Sequence, residues 1–200
     1  MPSTTHQSAV SARGDRLLAF LLDFSLLTAA TVAIWFVFLV LRLLTGFAGM
    51  VGLAALRDAA SAGGSATVAT PVASLGTMVL GYGLGLLQWA VIGLVLAGYF
   101  VYFLSRRGQT IGMRATDVVV RSADGTACTQ SQAITRTAVL LAPLPVMALS
   151  SVFIPIAGFP LALLVMVGWL AVEAVVLYTD DSARRLGDRF ADTVVVEATD

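Results

Sequence analysis

Residues 137–178 read TAVLLAPLPVMALSSVFIPIAGFPLALLVMVGWLAVEAVVLY, and the one charged residue in that stretch is Glu173. The hydrocarbon core of a bilayer is about 30 Å thick and takes roughly twenty residues of helix, so this run is too long for one crossing. Pro143, Pro145, Pro155, Gly158 and Pro160 interrupt it, and proline stops or kinks a helix because it has no backbone N–H to donate. The economical division is a span at 137–153 and another at 159–178, joined by the tight turn Ile-Pro-Ile-Ala-Gly-Phe-Pro. The first of these is short, which leaves a re-entrant segment open as its alternative.

Working outward toward the N-terminus, two further spans emerge. The segment 82–104 closes on Tyr99, Phe100, Tyr102 and Phe103, an aromatic group of the kind that sits at a membrane interface. The segment 17–41 carries one intramembrane charge, Asp23, and follows Arg13, Asp15 and Arg16. Its apolar stretch is long for a signal-peptide core and no small-residue cleavage site follows it cleanly, so it reads as a retained helix. The prediction is an all-α transmembrane fold, a four-helix membrane bundle.

Composition agrees. The chain of 200 residues is 58% hydrophobic and 12% charged, about half the charge of a typical soluble protein, with a mean hydropathy of +0.90. Residues 24–41, 59–105 and 137–172 carry nothing ionised. The basic residues are all Arg, and the formal net charge is +0, which leaves no basic face for nucleic acid and no lysine for a Schiff base or a phosphate-binding loop. The single histidine, His6, lies in a polar tail, and the single cysteine, Cys128, has no partner for a disulfide or a metal cluster. No GxSxG, HExxH or GxxxxGK occurs. The expectation is a protein without catalytic residues, metal or cofactor, not an enzyme.

Arginine distribution sets the expected orientation, because basic residues flanking spans stay in the cytoplasm. Arg13, Arg16, the loop 105–136 with Arg106, Arg107, Arg114, Arg121 and Arg136, and the C-terminal segment 179–200 with Arg184, Arg185 and Arg189 lie on one side. Arg42 and Arg57 lie on the other. Both termini are therefore expected in the cytoplasm, with 1–12 a disordered tail ahead of a membrane domain over 13–200. The outer loop, about 45–71, begins apolar enough to lie in the interface and ends in a flexible Ala/Gly/Ser/Thr-rich stretch. In the cytoplasmic loop, Asp117-Val-Val-Val-Arg121 followed by Ser-Ala-Asp-Gly125 predicts a short β-hairpin. Thr193–Val196 is a second β-branched run that could pair with it, and Ser131 looks like the cap of a helix leading into the third span.

Arg16, Ala19 and Asp23 recur on one face of the first helix. The two charges are about two turns apart, too far to pair, so each needs a partner from another element. Glu173 lies at a comparable depth in the last span, and Asp23 and Glu173 could share a polar pocket with Arg16, Arg106, Arg107 or Arg136 as counter-ions. That pocket reads either as an ion or proton site or as a structural salt bridge, the latter carrying the larger weight. Gln88 suggests an interhelical hydrogen bond, while Ala19, Gly81 and Gly85 suggest close helix packing.

Arg16-Leu-Leu-Ala-Phe-Leu-Leu-Asp23, Gly108-Gln-Thr-Ile-Gly-Met-Arg114, the Asp124-Gly125 turn, Arg136, and Arg185-Leu-Gly-Asp188-Arg-Phe-Ala-Asp-Thr-Val-Val together resemble the RDD family. These are small bacterial membrane proteins of poorly defined function, sometimes suggested to transport ligands. The resemblance implies that Arg16 and Asp23 are the family's Arg and first Asp, and that Asp188 is the second. Met113 departs from the pattern, standing where a Lys is expected, as do Gly187 and Asp192.

Two functions are expected from these features. One is transport of an ion or small ligand through the Arg/Asp site of a bacterial inner-membrane protein, although no inverted repeat is obvious in the sequence. The other is a non-catalytic accessory or scaffold subunit of a larger membrane complex. The partners expected are the lipid bilayer and either a homo-oligomer or such a complex, with no nucleic acid.

Overall fold

The computed structural model describes the backbone of residues 4–61, 66–154, 158–180 and 184–198, and the side chains of 14–59, 61, 73–154, 160–180 and 184–198. Helix α1 runs over Thr4–Ser61 and α2 over Ala66–Arg107, followed by the short α3 at Ile111–Ala115 and strand β1 at Val118–Ser122. Then come α4 at Gln130–Leu140, α5 at Leu144–Phe153, α6 at Gly158–Thr179, the short α7 at Leu186–Phe190 and strand β2 at Thr193–Glu197.

Among the described residues three helices are long and apolar enough to cross a membrane, and the α4/α5 pair, bent by 40°, makes up to four. The bend falls where Pro143 and Pro145 open α5, positions at which a missing N–H costs no intrahelical bond. The pair follows α2 along its length. Ala133 packs with Leu104, Leu144 lies against Gly93, Trp89 Nε1 donates to Ser151 Oγ at 2.7 Å, and the Phe153 ring stacks on Tyr82 at 5.6 Å. Tyr82 to Leu104 corresponds to roughly 33 Å of helix, the depth of a hydrocarbon core. Of the expected turn at 154–160, residues 155–157 lie outside the described residues, and Gly158–Pro160 already belong to α6.

The outer segment differs from its expected form. It is helical through Ser61 and again from Ala66, so α1 extends past both ends of the span expected at 17–41. No proline interrupts Thr4–Ser61, and isolated glycines such as Gly46 and Gly52 weaken a helix by only about 1 kcal/mol each. Counting by bilayer thickness ends a span where the membrane ends, but nothing in the backbone makes the helix stop there. The tail likewise belongs to α1 from Thr4 onward.

The small sheet forms as expected, but with a different partner in the lead. β1 pairs along its whole length with β2, antiparallel, whereas the hairpin around Asp124-Gly125 closes through a single bridge, Arg121 to Ala127. The helix cap is also displaced from its expected position. Thr129, not Ser131, caps α4 in a capping box with Gln132, because only the residue three before the glutamine can exchange both bonds with it.

The two strands repeat one local motif. Gly112-Met-Arg-Ala-Thr-Asp117 precedes β1 and Gly187-Asp-Arg-Phe-Ala-Asp192 precedes β2, and both aspartates take left-handed backbone angles, φ 52° and 50°. Matching Gly112 with Gly187 makes Val120 equivalent to Val195, and these two residues face each other in the ladder. A local two-fold axis of the sheet therefore passes between them, and the order of elements leading to each strand repeats, α1–α2–α3–β1 and then α4/α5–α6–α7–β2. Each short helix packs on the first helix of its own unit, α3 on α1 and α7 on α4.

Beneath the sheet, Ala19, Leu104, Met113, Val118, Val120, Cys128, Ala133 and Val195 form one apolar core. Met113, at the position where the family resemblance suggests Lys, is part of it. Burial pushes the Cys128 thiol above its usual range, and Asp188 adds to that while Arg136 opposes it. Its folded-state value thus exceeds the unfolded one, so the stabilisation is complete at neutral pH and fades as pH rises through the raised value. Maleimide labelling of Cys128 at pH 7–8 should accordingly be slow until the protein is unfolded. Labelling at the rate of a free thiol in the native protein would show that this core opens.

Candidate functional site

Asp23 is 4% exposed, and its charge is met by neutral donors. Tyr99 Oη donates to Oδ1 at 2.5 Å, Thr110 Oγ1 to Oδ2 at 2.5 Å, and the Gly112 backbone N–H to Oδ1 at 2.8 Å. The donors come from α2 and from the α3 loop, which folds back between α1 and α2. Ala19 is what lets it enter: Gly112 lies so close that a Cβ there would collide with the Ala19 carbonyl oxygen. The expected close approach at Ala19 is therefore made by this loop.

Arg136 and Asp188 form the second polar centre. Arg136 Nη1 lies 2.5 Å from Asp188 Oδ1, with the two side chains 5% and 2% exposed, and donates to Thr193 Oγ1 at 2.8 Å. Asp188 also accepts the Arg185 backbone N–H at 3.1 Å, at the start of α7. Arg16 donates to the Val195 carbonyl of β2, which ties the start of the membrane portion of α1 to the sheet. Arg106 and Arg107 instead lie over the rings of Tyr102 and Phe103.

Between these centres is a cavity of about 140 Å³ reached by Arg16, Asp23, Arg136, Glu173, Arg185 and Asp188, with apolar walls from Leu17, Phe20, Leu140, Leu170 and Leu177. Asp23 and Glu173 thus line one pocket, as their depths suggest. Their surroundings differ. Glu173 is 5% exposed and its Oε1 has no hydrogen-bond partner among the described residues. The cavity lies between α1 and α6, the counterparts of α4 and α2 in the repeated order of elements. The latter two pack directly, whereas α1 and α6 face each other across open space.

The Arg of the first helix, its Asp and the Asp before the last strand are thereby gathered at one end of the bundle. The sequence model of the RDD family matches residues 10–192. The chain belongs to the RDD family. Comparison with curated proteins found no match, and neither did comparison with solved structures. In this RDD protein Arg16, Asp23 and Asp188 are distributed around a shared cavity, and each also holds a neighbouring segment, Arg16 the strand β2, Asp23 the α3 loop and Asp188 the start of α7.

Three residues that bind Asp23 were not expected to do so: Tyr99 reads as an interfacial aromatic, and Thr110 and Gly112 enter only as part of the loop motif Gly108–Arg114 that resembles the family. Gly85 packs as expected, since a Cβ there would come 3.0 Å from Val152 Cγ2 and 3.1 Å from Arg42 Nη2, but Gly81 faces open space. Gln88 is 1% exposed, and the interhelical hydrogen bond expected of it is absent among the described residues. Outside the cavity, Asp180 binds the Arg184 backbone N–H at 2.8 Å and Arg189 Nη2 at 2.6 Å, which holds its carboxyl below the usual range.

Proposed function

We propose that this RDD membrane protein is a transporter, not an enzyme, that carries an ion or small charged ligand through the cavity between α1 and α6. The observation that supports it is Glu173, a nearly fully buried carboxylate with an unpartnered oxygen, facing a cavity at the junction of two repeated units. Leaving such a group unpaired at membrane depth is costly, and intramembrane carboxylates of this kind mark ion and substrate pathways. Transporters commonly place their sites between structural repeats, parallel repeats included. Asp23, with three donors, serves as the anchor of the α3 loop, and Glu173 is the group that exchanges its partner. In this scheme α4/α5 is a full crossing, four spans traverse the bacterial inner membrane, and the arginine bias keeps both termini in the cytoplasm.

Reconstitution tests the proposal. Proteoliposomes should show flux of protons, alkali cations or small solutes above empty vesicles, and Glu173→Gln should abolish it with the protein still inserted at normal amount. Asp23→Asn should insert normally too, because its oxygen can keep Tyr99 and Gly112 while the Thr110 hydroxyl turns to accept. Wild-type flux no greater than that of empty vesicles would refute transport.

A second function, accessory subunit of a larger membrane complex, is favoured by one observation. Beyond the four-helix section, α1 and α2 continue as a paired extension with exposed Leu43, Leu44, Phe47, Met50, Leu75 and Val79. A partner helix or a second copy could cover that surface. Gentle extraction followed by native mass measurement decides it: stoichiometric recovery of a larger complex supports the accessory role, and a monomer or homo-oligomer removes it.

A further inference from the structure

Two oppositely charged side chains that line the cavity, Glu173, which is buried, and Arg185, which is half-buried, make no ion pair among the described residues. Arg136 is occupied by Asp188, Asp23 by its three donors, and Arg16 by the Val195 carbonyl among its contacts. A carboxylate that accepts and a guanidinium that donates thus face one small space, walled mainly by leucines.

The charge balance restricts what can enter. With all groups ionised, the three arginines and three acids of the cavity cancel. A bare cation would satisfy Glu173 but leave the site with excess positive charge and Arg185 still unmatched. A bare anion would do the reverse. Either imbalance is penalised in a surrounding of low dielectric. A ligand bearing one ammonium and one carboxylate matches both groups and leaves the site neutral, with the guanidinium able to grip the carboxylate through two parallel bonds. Size agrees, because a cavity of about 140 Å³ is comparable to one that accommodates a benzene-sized molecule.

We infer that the cavity between α1 and α6 binds a small zwitterion, an amino acid with a short side chain or backbone, its ammonium on Glu173 and its carboxylate on Arg185. This rests on the transport proposal above and names the class of ligand.

The test is binding to the full-length protein in nanodiscs, by calorimetry, with glycine, L-alanine and γ-aminobutyrate as zwitterions of increasing charge separation. Propionate, ethylammonium and sodium serve as single-charge probes. At least one zwitterion should bind saturably, and propionate and ethylammonium should bind about tenfold more weakly or worse, since each lacks one charged hydrogen-bonding group. Glu173→Gln and Arg185→Gln should each weaken the zwitterion by about tenfold or more, and Glu173→Gln should narrow its advantage over propionate. Equal binding of propionate and the zwitterions would overturn the inference. So would sodium- or proton-dependent flux with no zwitterion binding, which would leave transport standing. Absence of both binding and flux would overturn the two together.

Discussion

Asp188→Ala is expected to destabilise the protein by about 3–5 kcal/mol, because it leaves the Arg136 guanidinium charged, buried and without its carboxylate. The pair is 2.5 Å apart with both side chains almost fully buried, so the guanidinium is left largely desolvated when its partner is removed. The same substitution removes the acceptor of the Arg185 N–H at the start of α7, loosening the short helix that leads into β2. Thermal unfolding in detergent should show the loss as a large fall in Tm. Arg136→Met combined with Asp188→Ala should be less harmful than Asp188→Ala alone, since no charge is then stranded, and that non-additivity identifies the ion pair as the cause. A Tm for Asp188→Ala within a degree of the wild type would mean that the pair contributes nothing and that α7 is held by packing alone.

The spans were legible because they depend on local composition. A run such as 137–178 must be divided at its prolines whatever the rest of the chain does, and the bend between α4 and α5 falls at Pro143 and Pro145. The strand pairing was legible for a similar reason, since Val118–Val120 and Thr193–Val196 are β-branched runs in an otherwise helical chain. The shared depth of Asp23 and Glu173 followed from counting turns. Their partners did not: which donors reach Asp23 depends on where the α3 loop folds back, and nothing in Gln109-Thr-Ile-Gly-Met113 announces that Thr110 and Gly112 meet a carboxylate far earlier in the chain.

The repeat is faint in the sequence. Gly112-x-Arg-x-x-Asp117 and Gly187-x-Arg-x-x-Asp192 share only three residues, too few to mark two units along the chain. The ladder register exposes it, because equivalent valines face each other. The physical sense of those glycines is the same in both units. Gly187 lies 3.2 Å, measured from where a Cβ would be, from the Arg136 carbonyl on α4, as Gly112 lies against Ala19 on α1. Each lets a short helix rest on the backbone of a long one. The second unit has a salt bridge where the first has a carboxylate held by neutral donors, and the cavity forms where the symmetry is broken.

That role makes Gly112→Ala a severe test of the site. The added methyl would overlap the Ala19 carbonyl oxygen and come within 2.9 Å of Asp23 Cγ, and the first of these is helix backbone that cannot move aside cheaply. The α3 loop must then lift from α1, which breaks the Gly112 and Thr110 bonds and leaves Asp23 buried with Tyr99 as its one remaining donor. Overpacking costs about 1–3 kcal/mol and each stranded polar group about 1–3 more, so a loss of about 3 kcal/mol or greater is expected. Gly81→Ala provides the opposite sign: its Cβ meets nothing within 4 Å, and replacing glycine inside a helix should add about 0.5–1 kcal/mol. Measured side by side, a large fall for Gly112→Ala with a small rise for Gly81→Ala would establish that the loop is seated on α1 by the absence of one side chain. Equal, small effects at the two positions would place the α3 loop away from Asp23 and remove the anchor on which the division of labour between Asp23 and Glu173 depends.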